Sequence, residues 1–197
     1  MQAPFASEAH RLVTELQENG EATADGIDDA TNECAVALAT LNRSLDELMS
    51  SVSPAHQASV ASGAGALRVG GSWVQGQTSS RGTSQPLLRK VNTATSSTGL
   101  HGAVALGMLG AILGLPRDAV LDAFAYSSIR GAVNAATRLN LIGPQRAVAV
   151  QTGLAPVAIE ISDSSQSLGL HEAAGVAPIL DTIHCAHDSL ELRLFRT

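Results

Sequence analysis

The sequence predicts an all-α fold: a single domain spanning residues 1–197, built as a bundle of about six to seven helices with one long flexible loop. Three observations carry this expectation. Alanine, leucine, serine and glycine dominate, whereas aromatic residues make up only 3% of the 197 residues, a composition that favours helices over strands. Apolar side chains recur three and four residues apart along most of the chain. Proline and glycine stand between these periodic stretches rather than at regular strand-length intervals.

Ser7 is placed to cap a first helix in which Leu12, Val13 and Leu16 share a face, and Gly20 is placed to end it. Glu21 to Asp29 reads as a solvated acidic loop. Cys34, Leu38, Leu41, Leu45 and Leu48 then form the clearest stripe in the sequence, with Asp28 and Asp29 near a helix N-terminus, where carboxylates are favoured. Ser53-Pro54 supplies a cap and a first-turn proline for a third helix. Its small residues, Ala58, Ser62, Gly65 and Ala66, allow close packing against a neighbour.

From Gly70 to Thr98 the composition shifts to Gly, Ser, Thr, Gln and basic residues around Pro86, which predicts a disordered loop over 70–98. Leu100 to Leu115 is the most apolar stretch, with Gly102, Gly107 and Gly110 interleaved. It is shorter than the roughly 20 residues a membrane-spanning helix needs, so it reads as a central core helix. After Gly114-Leu115-Pro116, a helix with Asp118 in its first turn runs to about Thr137 through Val120, Phe124, Ile129 and Val133. Gly143-Pro144 breaks the chain again. Val148 to Ile161 forms a further helix that tolerates Pro156, Ser162 to Ala173 reads as polar linker, and a last helix runs from Pro178 to the terminus.

Charge and cysteine usage exclude several function classes. Twelve basic against eighteen acidic residues give a net charge of −6, and with five aromatics for base stacking this argues against nucleic-acid binding. No helix combines a strongly basic face with an apolar one, which argues against a membrane surface. Cys34 and Cys185 cannot form a disulfide framework, and the N-terminus lacks the features of a signal or transit peptide, so a reducing, cytoplasmic location is expected.

Catalytic motifs are equally sparse. Gly63-Ala64-Gly65-Ala66-Leu67-Arg68 lacks the third glycine of a dinucleotide fingerprint, and there is neither a P-loop nor a Gly-x-Ser-x-Gly elbow. A non-enzyme is expected. His184, Cys185 and His187 are the weak candidates for a metal site, but on a helix the two histidines share a face while Cys185 points about 100° away. A small metal-binding helical protein using these three residues is the alternative reading. His10, His56, His101 and His171 read as ordinary surface or core residues. Arg130 and Arg138 read as solvated charges, and the end of the chain, with Leu190, Leu192, Leu194 and Phe195, is apolar on more than one face and suggests docking.

Several stretches together resemble the UreF family of urease accessory proteins, in its plant-like branch. Phe124 to Arg130, followed by Ala135-Ala136-Thr137-Arg138-Leu139-Asn140-Leu141-Ile142-Gly143-Pro144, is similar to the family's aromatic-rich helix running into an Ala-Ala-x-Arg-Leu segment and a Gly-Pro turn. The ending His187 … Arg193-Leu194-Phe195-Arg196-Thr197 is similar to the family's C-terminus. Weaker matches lie at Ala58 to Leu67 and at His101 through Pro116.

The resemblance implies an all-α, non-catalytic scaffold or chaperone with no firmly bound cofactor. Its implied partners are a second accessory protein of the UreD or UreH type, a nickel-dependent GTPase of the UreG type and apo-urease, nickel being handled by the complex, and it admits a homodimer. Partner-binding roles are expected for His187, Arg193, Leu194, Phe195, Arg196, Arg130 and Arg138, with Gly143 and Pro144 holding a turn. The family's N-terminal Leu-Pro-x-Gly-Gly-Phe segment has no counterpart here, and Met1 falls where the family's second helix begins.

Overall fold

A computed structural model describes residues 2–19, 24–76, 83–173 and 178–186. These residues form eight α-helices and one short 3-10 turn, with no strand among them. The helices are α1 (Ala3–Asn19), α2 (Ala24–Met49), α3 (Ser53–Gly76), α4 (Ser84–Ala94), α5 (Gly102–Ile112), α6 (Arg117–Arg138), α7 (Pro144–Gln166) and α8 (Pro178–Ala186), the 3-10 turn lying at Leu170–Glu172. The expected all-α bundle is thus the architecture observed.

At the centre sits α5, in which every residue except Leu106 is buried. Three helices close around it: α1 packs against it most extensively, α3 next, and α6 covers part of what remains. Such close approach requires its glycines. A Cβ on Gly107 would lie 2.1 Å from the Ala6 carbonyl oxygen of α1, and one on Gly63 of α3 would lie 1.8 Å from the Leu100 carbonyl oxygen at the entry to α5. Both obstacles are backbone, which cannot rotate aside. Phe5, Val13, Leu38, Leu45, Val104 and Met108 fill the core between these helices.

The stripe on α2 is buried at Cys34, Leu38, Leu41 and Leu45, but Leu48 is exposed and Met49 takes the inward position. A straight helix of 3.6 residues per turn drifts against a strict 3-4 alternation, which moves the last contact on by one residue.

The expected disordered loop over 70–98 is corrected. Instead, α3 continues to Gly76 and α4 occupies Ser84–Ala94, leaving only 77–82 outside the described residues. Gly70 lets α3 pass close to Leu109, and Val74 is buried. Leu87 and Val91, one helical turn apart, bury α4 against α2, and Lys90 Nζ donates to Asp28 across the same contact at 2.6 Å. Two buried apolar residues within eleven fall below what a composition shift reveals, so tertiary packing overrides the local polar bias.

Other boundaries move as well. Ser7 lies inside α1 rather than capping it, buried, its Oγ accepting from Arg117 Nε at 2.7 Å. Ala24 to Asp29 is helical rather than loop, and α7 runs on to Gln166, into the stretch expected as linker. Gly114, at φ 72°, ends α5 in a Schellman arrangement, with Leu115 N–H bonding Gly110 O and Gly114 N–H bonding Ala111 O, both at 2.9 Å. Pro116 is the N-cap of α6 rather than its first helical residue. The expected last helix is described over Pro178–Ala186; residues 187–197, among them His187, Arg193, Leu194, Phe195 and Arg196, lie outside the described residues.

Candidate functional site

Three titratable side chains from three helices meet where α2, α3 and the entry to α5 converge. Asp46 stands one turn before the end of α2 and His56 in the first turn of α3. The short connection at 50–52 reverses the chain midway between them, which brings the two side by side. His101 is the N-cap residue of α5, at φ −70° and ψ 146°, and is completely buried.

The approach of His101 is fixed by Asn42. Its Nδ2 donates to Gly99 O and its Oδ1 accepts the His101 N–H, each at 2.8 Å. The buried amide thus spends both ends on the backbone of the loop before α5, satisfying groups that would otherwise be costly to bury.

In the cluster, His56 Nε2 lies 2.6 Å and His101 Nε2 3.3 Å from the same oxygen, Asp46 Oδ1. The rings of His56 and His101 pack edge to face, with centroids 5.1 Å apart. The other ring nitrogen of His101, Nδ1, lies 3.0 Å from Ser59 Oγ, which lies 3.4 Å from Gln2 Oε1. The Asp46 and His56 side chains keep 25% and 27% of their surface exposed, so the cluster has a buried back and an open front.

Electrostatics follow from that placement. Hydrogen bonding from His56 is the main reason the Asp46 carboxyl is held below its ordinary range. Burial favours the neutral ring and pushes the His101 imidazole below its usual value, against the opposing pull of Asp46, which favours the protonated ring. Ionised carboxylate and neutral imidazole are the forms in which these side chains coordinate metal. Among the described residues, Asp46, His56 and His101 are the group of three ligating side chains whose donor atoms all lie within 4.8 Å of one another.

The residues expected from the sequence fare differently. His56 and His101, read there as ordinary residues, are instead brought together with Asp46. The signal available was the near-equal distance of Asp46 and His56 from the turn at 50–52; nothing in the sequence placed His101 beside them. Arg130 and Arg138 lie on α6, both exposed. Pro144 occupies the first turn of α7 after Gly143 as its N-cap. The left-handed residue of that turn is Asn140, at φ 56°, with Leu141 N–H closing onto Ala136 O at 2.9 Å; Gly143 has φ −74° and open space where a Cβ would be.

Of the weaker metal candidates, Cys185 is exposed on α8, with its thiol 3.5 Å from Ser51 O; the His184 side chain and His187 lie outside the described residues. The other cysteine, Cys34, is buried, and desolvation pushes its thiol up to about 11, which makes it a packing residue rather than a nucleophile.

Large apolar side chains are exposed elsewhere. Val148, Val157, Ile159 and Ile161 of α7 point outward, with Tyr126, Leu139 and Leu141 nearby in sequence on α6 and the following turn, and Ile179, Leu180 and Ile183 are exposed on α8. No helix among the described residues is long and apolar enough to cross a membrane.

A family model described as UreF matches residues 1–155. The chain is 30% identical over 110 residues to a protein named urease accessory protein F from Oryza sativa subsp. indica, a match covering 56% of this chain and 42% of the relative. A protein of the same name from Arabidopsis thaliana is 28% identical over 109 residues, covering 55% and 45% of the two chains. Urease accessory protein UreF of Allorhizobium ampelinum is 33% identical over 95 residues, covering 48% and 41%. The matched region spans less than half the length of each of these relatives.

Proposed function

The chain belongs to the UreF family, and from that premise we propose that it acts in urease maturation as a non-catalytic accessory protein of the cytoplasm. In this role it assembles with a second accessory protein of the UreD or UreH type and a nickel-dependent GTPase of the UreG type, and the assembly inserts nickel into apo-urease. The observation that carries the reading is the family match across residues 1–155. The outward apolar side chains of α6, α7 and α8 support it, since exposed apolar patches of this kind mark surfaces that associate. Arg130, Arg138 and the terminal His187, Arg193, Leu194, Phe195 and Arg196 supply the partner contacts.

Co-purification of the full chain with the two accessory partners, alongside restoration of urease activity in a strain lacking its own UreF, tests the reading. Capture of the partners with restored activity is expected. Deleting the last eight residues should abolish capture while leaving the helical circular dichroism largely intact. Failure of the full chain to capture either partner would overturn the assembly role, and undiminished capture by the truncated chain would remove the terminus from it.

A further inference from the structure

We infer that Asp46, His56 and His101 form a binding site for one first-row divalent cation of the imidazole-accepting class, such as nickel or zinc. This inference stands on the geometry of the cluster and holds or fails separately from the assembly role. The three ligands come from different elements of the fold, and two of them, Asp46 and His56, reach the surface.

Coordination geometry supports the assignment. At metal–donor distances of about 2.0–2.1 Å, adjacent donors in one coordination sphere sit about 2.9–3.4 Å apart and opposite ones about 4.1 Å apart. The two histidine nitrogens lie 2.6 and 3.3 Å from Asp46 Oδ1, and all three donors fall within 4.8 Å of one another. Shifts of under about an ångström, absorbed by side-chain torsions, bring them onto one ion. Two imidazoles and one carboxylate suit nickel, zinc or cobalt; magnesium and calcium prefer all-oxygen shells.

The surroundings of His101 resemble those of a metal ligand. A ligating imidazole is usually oriented by a hydrogen bond from its other nitrogen. Here Nδ1 faces Ser59 Oγ at 3.0 Å, and Ser59 Oγ in turn reaches Gln2 Oε1 at 3.4 Å. Without an ion, Nε2–H donates to Asp46 Oδ1; with an ion bound, the proton moves to Nδ1 and donates to Ser59 Oγ, the Ser59 hydroxyl donates to Gln2 Oε1, and the Nε2 lone pair is released toward the position shared with Asp46 and His56. Asn42 holds the backbone of His101 in place from behind. Three protein ligands leave further coordination positions open on the exposed side, so the ion is exchangeable rather than sealed in.

Titration calorimetry of the chelator-treated full chain with nickel and with zinc, and with magnesium as control, tests the site. One nickel or zinc ion per chain is expected, with no magnesium binding. His56→Gln and Asp46→Asn should each weaken binding at least tenfold, and Ser59→Ala by about tenfold. A triple variant, His184→Ala, Cys185→Ser and His187→Ala, should retain the site.

Wild-type histidine ring resonances supply a readout that needs no variant: zinc should shift those of His56 and His101. The proposal is overturned if the chain binds neither ion, if binding survives His56→Gln, if the triple variant abolishes it, or if zinc leaves both rings unmoved. In any of those cases the cluster is a hydrogen-bonded structural network alone.

Discussion

α5 and α7 are both rich in small and aliphatic residues, yet α5 buries ten of its eleven residues and α7 only four of twenty-three. The difference lies in where the small residues face. In α5 they ring the helix, so that α1 and α3 can approach until backbones nearly touch, and the large side chains Val104, Met108 and Leu109 fill what is left. In α7 the buried residues are the small ones, Ala147, Ala158, Ser162 and Ser165, and the large aliphatics Val148, Val157, Ile159 and Ile161 point away. The small residues form the inward stripe of α7, and the large aliphatics flank it on both sides, where they stay substantially exposed and available for association. Polar satisfaction differs too. Around α5, Asn42 and His101 are bonded at both ends, whereas Ser162 Oγ of α7 is the buried side-chain polar atom without a partner among the described residues.

The contrast can be broken most severely at Gly107. Gly107→Ala drives a methyl into the Ala6 carbonyl, and because the obstacle is backbone a loss of about 3 kcal/mol or more in urea unfolding is expected, at or above the upper end of ordinary overpacking costs. Leu38→Ala, at a fully buried position, should cost about 2–5 kcal/mol by the same measurement.

A smaller effect is expected from pH. Because the His101 imidazole is depressed in the folded chain, the unfolded chain takes up that proton first as pH falls through about 6.5. Stability from this group is therefore complete above that value and shrinks below it. Asp46, also depressed, adds a second loss beneath about pH 4, again because the unfolded carboxyl protonates first. Urea midpoints between pH 8 and 5 should fall with pH in the wild type, and less steeply in His101→Gln. Asp46 and His56 are the charged and titratable groups facing that ring.

The smallest effect belongs to the outer face. Ile159→Ala and Val148→Ser should each change stability by no more than about 0.5 kcal/mol, even though the first removes as many atoms as a core truncation. A loss above 2 kcal/mol at either position would mean that α7 is part of the core and would end the distinction between the two regions.

Much of the fold was legible because local signals and burial agreed. The stripe from Cys34 to Leu45, the glycine-laced α5, the Gly114-Leu115-Pro116 break and the Gly143-Pro144 boundary all follow from side-chain periodicity and backbone restriction, which act within a few residues. α4 was not legible, since Leu87 and Val91 acquire meaning only against α2. The Asp46–His56–His101 cluster was legible in part: a tight turn pairs Asp46 with His56, but a separation of 55 positions between Asp46 and His101 leaves no local signal.

The sequence by itself determined an all-α chain with a small-residue core and the family to which its motifs belong, because those depend on pattern and composition. Only the tertiary structure decided that the segment after α3 is a helix, that the large aliphatics of α7 face outward, and that two unremarkable histidines share one carboxylate oxygen. These depend on which surfaces meet, and contact between residues distant in the chain is set by how whole helices pack.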